Sequence, residues 1–513
     1  MNYVYKPCDY SDVGQTYSFL KEYKNIIRYS PATGYLYYTG TVWIESELKV
    51  QKLVQQYTDL QLKEACSALK EANDKENTAA VNNDDFGKKA AKEEAKTALK
   101  YRNFILKMRD TLKINAVIRE AKPLIEIAAS QLDADPYLLN TPDGIVNLKT
   151  KEIHPHKYDD YCTKITGVGI SPDGAEIFSD FLKVITCGDQ ELEKYLQTIA
   201  GMFALGKVED EALVIAYGSG RNGKSTFFNL LSKVLGNYSG NLSAETLTVN
   251  SRKNKSPEYA ELRGKRLVIA AELQEGMRLD TAIVKKLCST DEIYAEKKYK
   301  DPFAFTPSHT IVLYTNHLPD VGTSDDGTWR RLIVIPFNAE IKKTDDIKNY
   351  ADYLFNNAGG AALSWIIEGA LKYIQSDYRI NIPGIVEETI ENYRISNDWL
   401  NNYLSENCEI DKGYTQPSGE LYSHYRDYCK QYGEYTRKQA DFNAALKKNG
   451  FRYHKSNQTR NWIGLRLKKS ETGYHIPQVS LSSTLPQICH QEDCVAGGGN
   501  DSQNYDDCEN IEF

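Results

Sequence analysis

Nine residues in a row carry the most specific chemistry in this chain. Gly218-Ser219-Gly220-Arg221-Asn222-Gly223-Lys224-Ser225-Thr226 follows the apolar run Leu213-Val214-Ile215-Ala216-Tyr217 and opens a second apolar stretch, Phe227 to Leu235. This is GxxxxGK[ST] in the strand-to-helix setting that phosphate binding needs. Backbone N–H groups must wrap a phosphate that side chains would obstruct, while a helix N-terminus favours negative charge. Lys224 supplies a compensating cation and Ser225 a hydroxyl for Mg²⁺, and the glycines permit the tight turn. ATP and Mg²⁺ are the expected cofactors, with residues 218–226 as the binding segment.

A nucleoside triphosphatase also needs an acid at the carboxyl edge of the same sheet. The run Gly264-Lys265-Arg266-Leu267-Val268-Ile269-Ala270-Ala271-Glu272 ends in one. Glu272 is the expected catalytic acid and, through water, a metal partner, with Glu275 a second choice; the plain alternative is a capped strand end. A third apolar run, Thr310-Ile311-Val312-Leu313-Tyr314, ends in Thr315-Asn316, where an amide can hydrogen-bond a γ-phosphate. Asn316 before His317-Leu318-Pro319 also reads as a simple turn residue. Trp329-Arg330-Arg331 precedes the strand Leu332-Ile333-Val334-Ile335. Either arginine suits a role across a subunit interface, stabilising transition-state charge, or an ordinary ion pair. Between acid and amide, Asp291 to Phe305 reads as a hairpin with a basic aromatic tip, Lys297-Lys298-Tyr299-Lys300. Such a tip suits single-stranded DNA, and a solvated charge run is equally open.

These residues need a framework of adequate size. The chain has 513 residues, 41% hydrophobic and 26% charged, which points to two to four globular domains with solvated surfaces. A balance of 63 Lys+Arg against 70 Asp+Glu, net −7, argues against nonspecific coating of nucleic acid but leaves room for a local basic channel. No apolar run approaches the roughly 20 residues of a membrane span, and the first residues lack a signal-peptide pattern. A cytoplasmic protein is expected, in a bacterial host if phage or plasmid encoded. Ten cysteines without a CxxC pair read as reduced thiols.

Along the chain, the aromatic-rich first 50 residues suggest a helix and a small hairpin. Residues 46–131 read as charged helices broken by a loop at Asn73 to Gly87, and Leu138 to Leu148 as two strands around a turn. Residues 207–340 alternate strands and amphipathic helices, the α/β pattern. Helices fill 345–376, Pro383-Gly384 marks a boundary, and 478–513 reads as a disordered tail.

The stretches GSGRNGKST, GKRLVIAAEL, STDEIYAEKKYKDPFAFTPSHT, LYTNHLP and DDGTWRRLIVIPF together resemble a superfamily 3 helicase. The resemblance is to the phage and plasmid primase-associated helicase family, with a poxvirus-type primase-helicase carboxyl-terminal motor. It implies an α/β, AAA+-like P-loop NTPase core over 176–380. It further implies an α+β amino-terminal module over 1–175 and a small winged-helix DNA-binding domain over 385–470. By the same resemblance the protein would be an ATP-dependent replicative DNA helicase of a mobile element. It would form a homo-oligomeric ring, a hexamer, moving 3′ to 5′ on single-stranded and forked DNA beside a separate primase or initiator. Two departures stand out: Ala271 occupies a place where a second acid is common, and no primase signature precedes the motor. Arg452, His454, Lys455, Arg460 and Arg466 could line DNA in the last domain or serve as solubilising charge. Two rival readings use the same residues: a loading ATPase that remodels origin DNA without processive unwinding, and a nonenzymatic DNA-binding or primase-recruiting scaffold.

Overall fold

The computed structural model describes residues 3–249, 256–296, 302–321, 326–342, 347–432, 435–455 and 459–468. The expected hairpin tip at Lys297–Lys300 and the expected disordered tail at 478–513 lie outside the described residues.

Short apolar runs make the inner strands of the central element of the first unit, a five-stranded parallel sheet. Its spatial order is Leu332–Pro336, Leu213–Tyr217, Thr310–Thr315, Leu267–Ala271 and Ser239–Ser243. The inner strands are buried on both faces, which explains their unbroken apolar character. On one face Phe203, Phe227, Phe228, Leu231 and Ile366 close the core, with helices Gln190–Met202, Lys224–Leu235 and Tyr350–Gln375 above them. On the other, Leu247, Leu262, Leu279, Val284 and Trp329 do the same. Register sets the ends level: Tyr217 pairs with Thr315, and Tyr314 with Ala271. Gly218, Glu272 and Asn316 therefore leave the sheet at one edge.

Upstream, the helix Asp12–Tyr23 and a three-stranded antiparallel sheet (Ile27–Ser30, Gly34–Tyr38, Trp43–Glu45) pack on the foot of a long helical pair, Glu47–Val81 and Asp85–Met108. The expected loop over Asn73 to Gly87 is corrected here. Helix continues to Val81, and the turn is confined to Asn82–Asp84, with the Asp84 carboxylate accepting from the Gly87 N–H at 2.9 Å. Ala65, Ala72, Ala91 and Ala98 are buried in the pair, and helix-forming alanine with little bulk reads as a weak apolar stripe. Leu138–Thr141 and Gly144–Asn147 form the expected hairpin.

A second compact unit runs from Leu404 onward. Its helices Ser418–Tyr432 and Gln439–Lys448 pack with an antiparallel sheet of Cys408–Pro417, Arg460–Leu467 and Arg452–Lys455 around Trp462, Leu465, Tyr425 and Phe442. Among the described residues no helix is long and apolar enough to cross a membrane.

Candidate nucleotide site

The loop after Tyr217 is shaped by glycine where the backbone demands it. Gly220 and Gly223 sit at φ +104° and +78°, the left-handed side of conformational space. A Cβ on Gly223 would lie 2.4 Å from Ile185 Cγ2, and one on Gly218 would lie 2.5 Å from the Phe337 carbonyl oxygen. Around Gly220, by contrast, the space is open. Helix Lys224–Leu235 starts directly after Gly223, so its free N–H groups and partial positive charge face the loop. Ser219, Arg221 and Ser225 are exposed and Thr226 half-buried.

Asn222 has a role that its position in the motif does not disclose. Its side chain is buried and donates to the Phe337 carbonyl at 3.0 Å, while the Arg221 carbonyl accepts from the Ile341 N–H at 2.8 Å. The outer limb of the loop is thus tied to the segment that follows the edge strand. Ile185, beneath Gly223, also belongs to the site's support, and its place in a helix remote in sequence gave no local signal.

Lys224 is the electrostatic centre. Its ammonium is buried and donates to the Gly218 carbonyl at 3.1 Å and to Asn316 Oδ1 at 2.5 Å. Burial draws its pKa below the ordinary lysine range, and the nearby Glu272 carboxylate opposes that shift. Both hydrogen-bond acceptors are neutral, so the cation is desolvated without a bonded anion. A polyphosphate would supply that anion, and the open, glycine-lined loop leaves it room; the residues fit a nucleoside triphosphate.

Glu272 is exposed and takes φ +58°, with its N–H donating to the Tyr314 carbonyl at 3.1 Å. A glutamate in the left-handed region is uncommon, and the bend turns its side chain off the strand line at the edge where Lys224 sits. Asn316 follows Thr315, whose hydroxyl donates to the His317 carbonyl at 2.9 Å and accepts from the His317 N–H at 3.2 Å, fixing the turn. With Oδ1 on Lys224, its amide nitrogen keeps both donors for another group. Glu275 lies exposed beyond Glu272.

The structure brings Lys224, Glu272 and Asn316 together but places Arg330 and Arg331 elsewhere. Both precede Leu332, at the opposite edge of a parallel sheet, about 17 Å of strand from the loop at ~3.3 Å per residue. The two arginines differ. Arg331 pairs with Glu211 and donates to the Gly327 carbonyl at 2.6 Å, whereas Arg330 is exposed. At the expected DNA hairpin, Ile293–Ala295 and Phe303–Phe305 pair antiparallel, and Lys297–Lys300 lie outside the described residues. In the second unit Arg452, His454, Lys455 and Arg460 are exposed on the strand pair; Arg466 pairs with Glu409 at 2.6 Å and lies 3.8 Å over the Tyr414 ring.

Residues 16–187 match a family described as D5 N terminal like, and 216–331 match a family of unknown function, DUF5906. Among curated proteins, "Putative helicase L207/L206" of Acanthamoeba polyphaga mimivirus is 32% identical over 220 residues, 41% of this chain and 23% of that protein. "Putative helicase 184R" of Invertebrate iridescent virus 6 is 24% identical over 384 residues, 67% and 39% of the two chains. "Putative primase C962R" of African swine fever virus is 26% identical over 324 residues, 56% and 33%. These matches support a likeness to D5-like primase-helicases, with the D5 N terminal like family matching residues 16–187. The superfamily 3 resemblance is consistent with those matches. This D5-like chain spans between about a quarter and two fifths of the length of those relatives. A solved structure titled "The A form apo structure of NrS-1 C terminal region-CTR" is 15% identical, with a TM-score of 0.34 over 58% of this chain and 78% of that one.

Proposed function

We propose that this D5-like chain is the ATP-dependent motor of a replicative DNA helicase, with an AAA+-like P-loop core and a winged-helix domain beyond it. The observation that carries the reading is the buried Lys224 ammonium at the end of a glycine loop, bonded only to neutral acceptors and faced by Glu272 and Asn316.

In this reading the loop N–H groups and Lys224 hold the β- and γ-phosphates. Ser225 and, through water, Glu272 would hold Mg²⁺, which neutralises phosphate charge when bound. Glu272 orients the attacking water and takes its proton, and the free amide N–H groups of Asn316 donate to the γ-phosphate. Arg330, exposed at the far edge, cannot reach its own loop and acts on the nucleotide of a neighbouring subunit. That requirement makes a ring, a hexamer by the family resemblance, the working form. Arg331 holds the strand start against Glu211 and so aims Arg330. Single-stranded DNA is gripped at the Lys297–Lys300 tip, and the winged-helix basic residues provide a second DNA surface.

The test is displacement of a strand from a fork with a 3′ tail by the parent chain and by Lys224→Ala, at one stated salt concentration. Displacement by the parent alone is expected. Hydrolysis without displacement would instead favour a loading ATPase, and equal displacement by both chains would refute the reading.

A further inference from the structure

At the other end of the Leu267–Ala271 strand lies a cavity of about 250 Å³, room for roughly eight waters. It is bounded by the amino-terminal module on one side and the segment before the strand on the other. Leu36 and Trp43 give it apolar wall, and Lys164, Arg263 and Lys265 contribute three cations.

The cations lie deeper than the acids. Arg263, Lys265 and Lys164 are half-buried, whereas the Glu45 and Glu261 carboxylates of the same lining are exposed. The remaining acid, Asp133, is engaged: it accepts from the Thr163 N–H at 2.7 Å and from the Thr163 hydroxyl. The Arg263 guanidinium has five N–H donors, and its bond to the Ala129 carbonyl, 3.3 Å, uses one. Lys265 donates to two carbonyls, Asn237 at 2.9 Å and Ser239 at 2.7 Å, again neutral partners. Burial pushes both groups below their ordinary pKa values, Lys265 to about 8 with Lys164 contributing, while the Asp133 and Glu45 carboxylates oppose the shift at Arg263 and Glu261 opposes it at Lys265. Gly264 stands between them at φ +70°, where its missing Cβ keeps clear of Lys164. An arginine fork beside ammonium groups matches a phosphate dianion better than a single carboxylate.

We propose that this cavity is a second phosphate site, separate from the Gly218–Thr226 loop, and that it takes the phosphate ester of a nucleotide. Arg263 also lies 5.6 Å from the ring centroid of Phe303, on the second strand of the hairpin. The occupant is therefore either a backbone phosphate of DNA or a free mononucleotide. The site stands whether or not the loop hydrolyses ATP.

Thymidine monophosphate and an oligothymidylate are titrated into the full chain carrying Lys224→Ala, and into the same chain with Arg263→Gln and Lys265→Gln added. Weakening by about tenfold or more is expected from the added pair. Weakening with the oligothymidylate alone assigns the site to DNA backbone; weakening with the monophosphate as well assigns it to a free nucleotide. No weakening with either probe overturns the proposal. Should the added substitutions prevent folding, acetic anhydride labelling of Lys265 in the Lys224→Ala chain decides: protection by either probe supports the site, and unchanged labelling overturns it.

Discussion

Lys224, Arg330 and His309 show how far residue type alone carries function. Lys224 was legible because its motif fixes both neighbours and backbone. The pair Arg330-Arg331 was legible as a pair only, since the Glu211 partner that separates them lies about 120 positions away in the chain. Arg330→Ala is expected to leave stability within about 0.5 kcal/mol while cutting hydrolysis by about 10³ or more. Arg331→Ala should lower stability by about 1–3 kcal/mol, through loss of the Glu211 pair, and thermal unfolding beside steady-state hydrolysis separates the two. His309 carries a different signal, one that no motif announces. It is fully buried, and burial pushes its pKa from 6.5 down to about 4, opposed by a backbone hydrogen bond with Leu287. The unfolded chain therefore binds the proton more readily. Stability is full above about pH 6.5 and falls as pH drops towards 4, by about 3 kcal/mol from this residue. Denaturant titrations across that range should show a shallower pH slope for His309→Leu than for the parent; parallel slopes would contradict the assignment.

At the scale of elements, the strands of the parallel sheet were readable because full burial makes each a short unbroken apolar run. The helical pair was less so. Asn73, Asp74 and Asn82-Asn83-Asp84 look alike in sequence, yet the first two lie inside the helix and only the last three turn the chain, with Asn83 at φ +54°. What decides between them is alanine packing against the partner helix, which local composition does not display. The bend at Glu272 was equally hidden, because a left-handed glutamate has no sequence signature. The loop itself makes an element-level prediction. Gly223→Ala forces a side chain into φ +78° and against Ile185, so a loss of about 2 kcal/mol or more is expected, together with weakened nucleotide binding. Calorimetric melting with and without nucleotide measures both. Retention of parent stability would mean that the loop does not hold this conformation.

For the whole molecule, the two compact units, Met1–Tyr403 and Leu404 onward, each carry a core of their own. Two thermal transitions are expected, and a nonhydrolysable ATP analogue at about 100 times its Kd should stabilise only the unit that contains Lys224, by about 2.7 kcal/mol. A shift of both transitions, or of the other alone, would place nucleotide elsewhere. In the proposed reading the exposed basic residues of the second unit and the Lys297–Lys300 segment contact DNA, and their contribution rests on the motor being active. ATP hydrolysis therefore bears most directly on the account. Phosphate release is measured for the parent chain and for Lys224→Ala, with Mg²⁺ and single-stranded DNA present. The account predicts turnover by the parent and a loss of about 100-fold or more in the variant. Equal turnover by the two chains would contradict it.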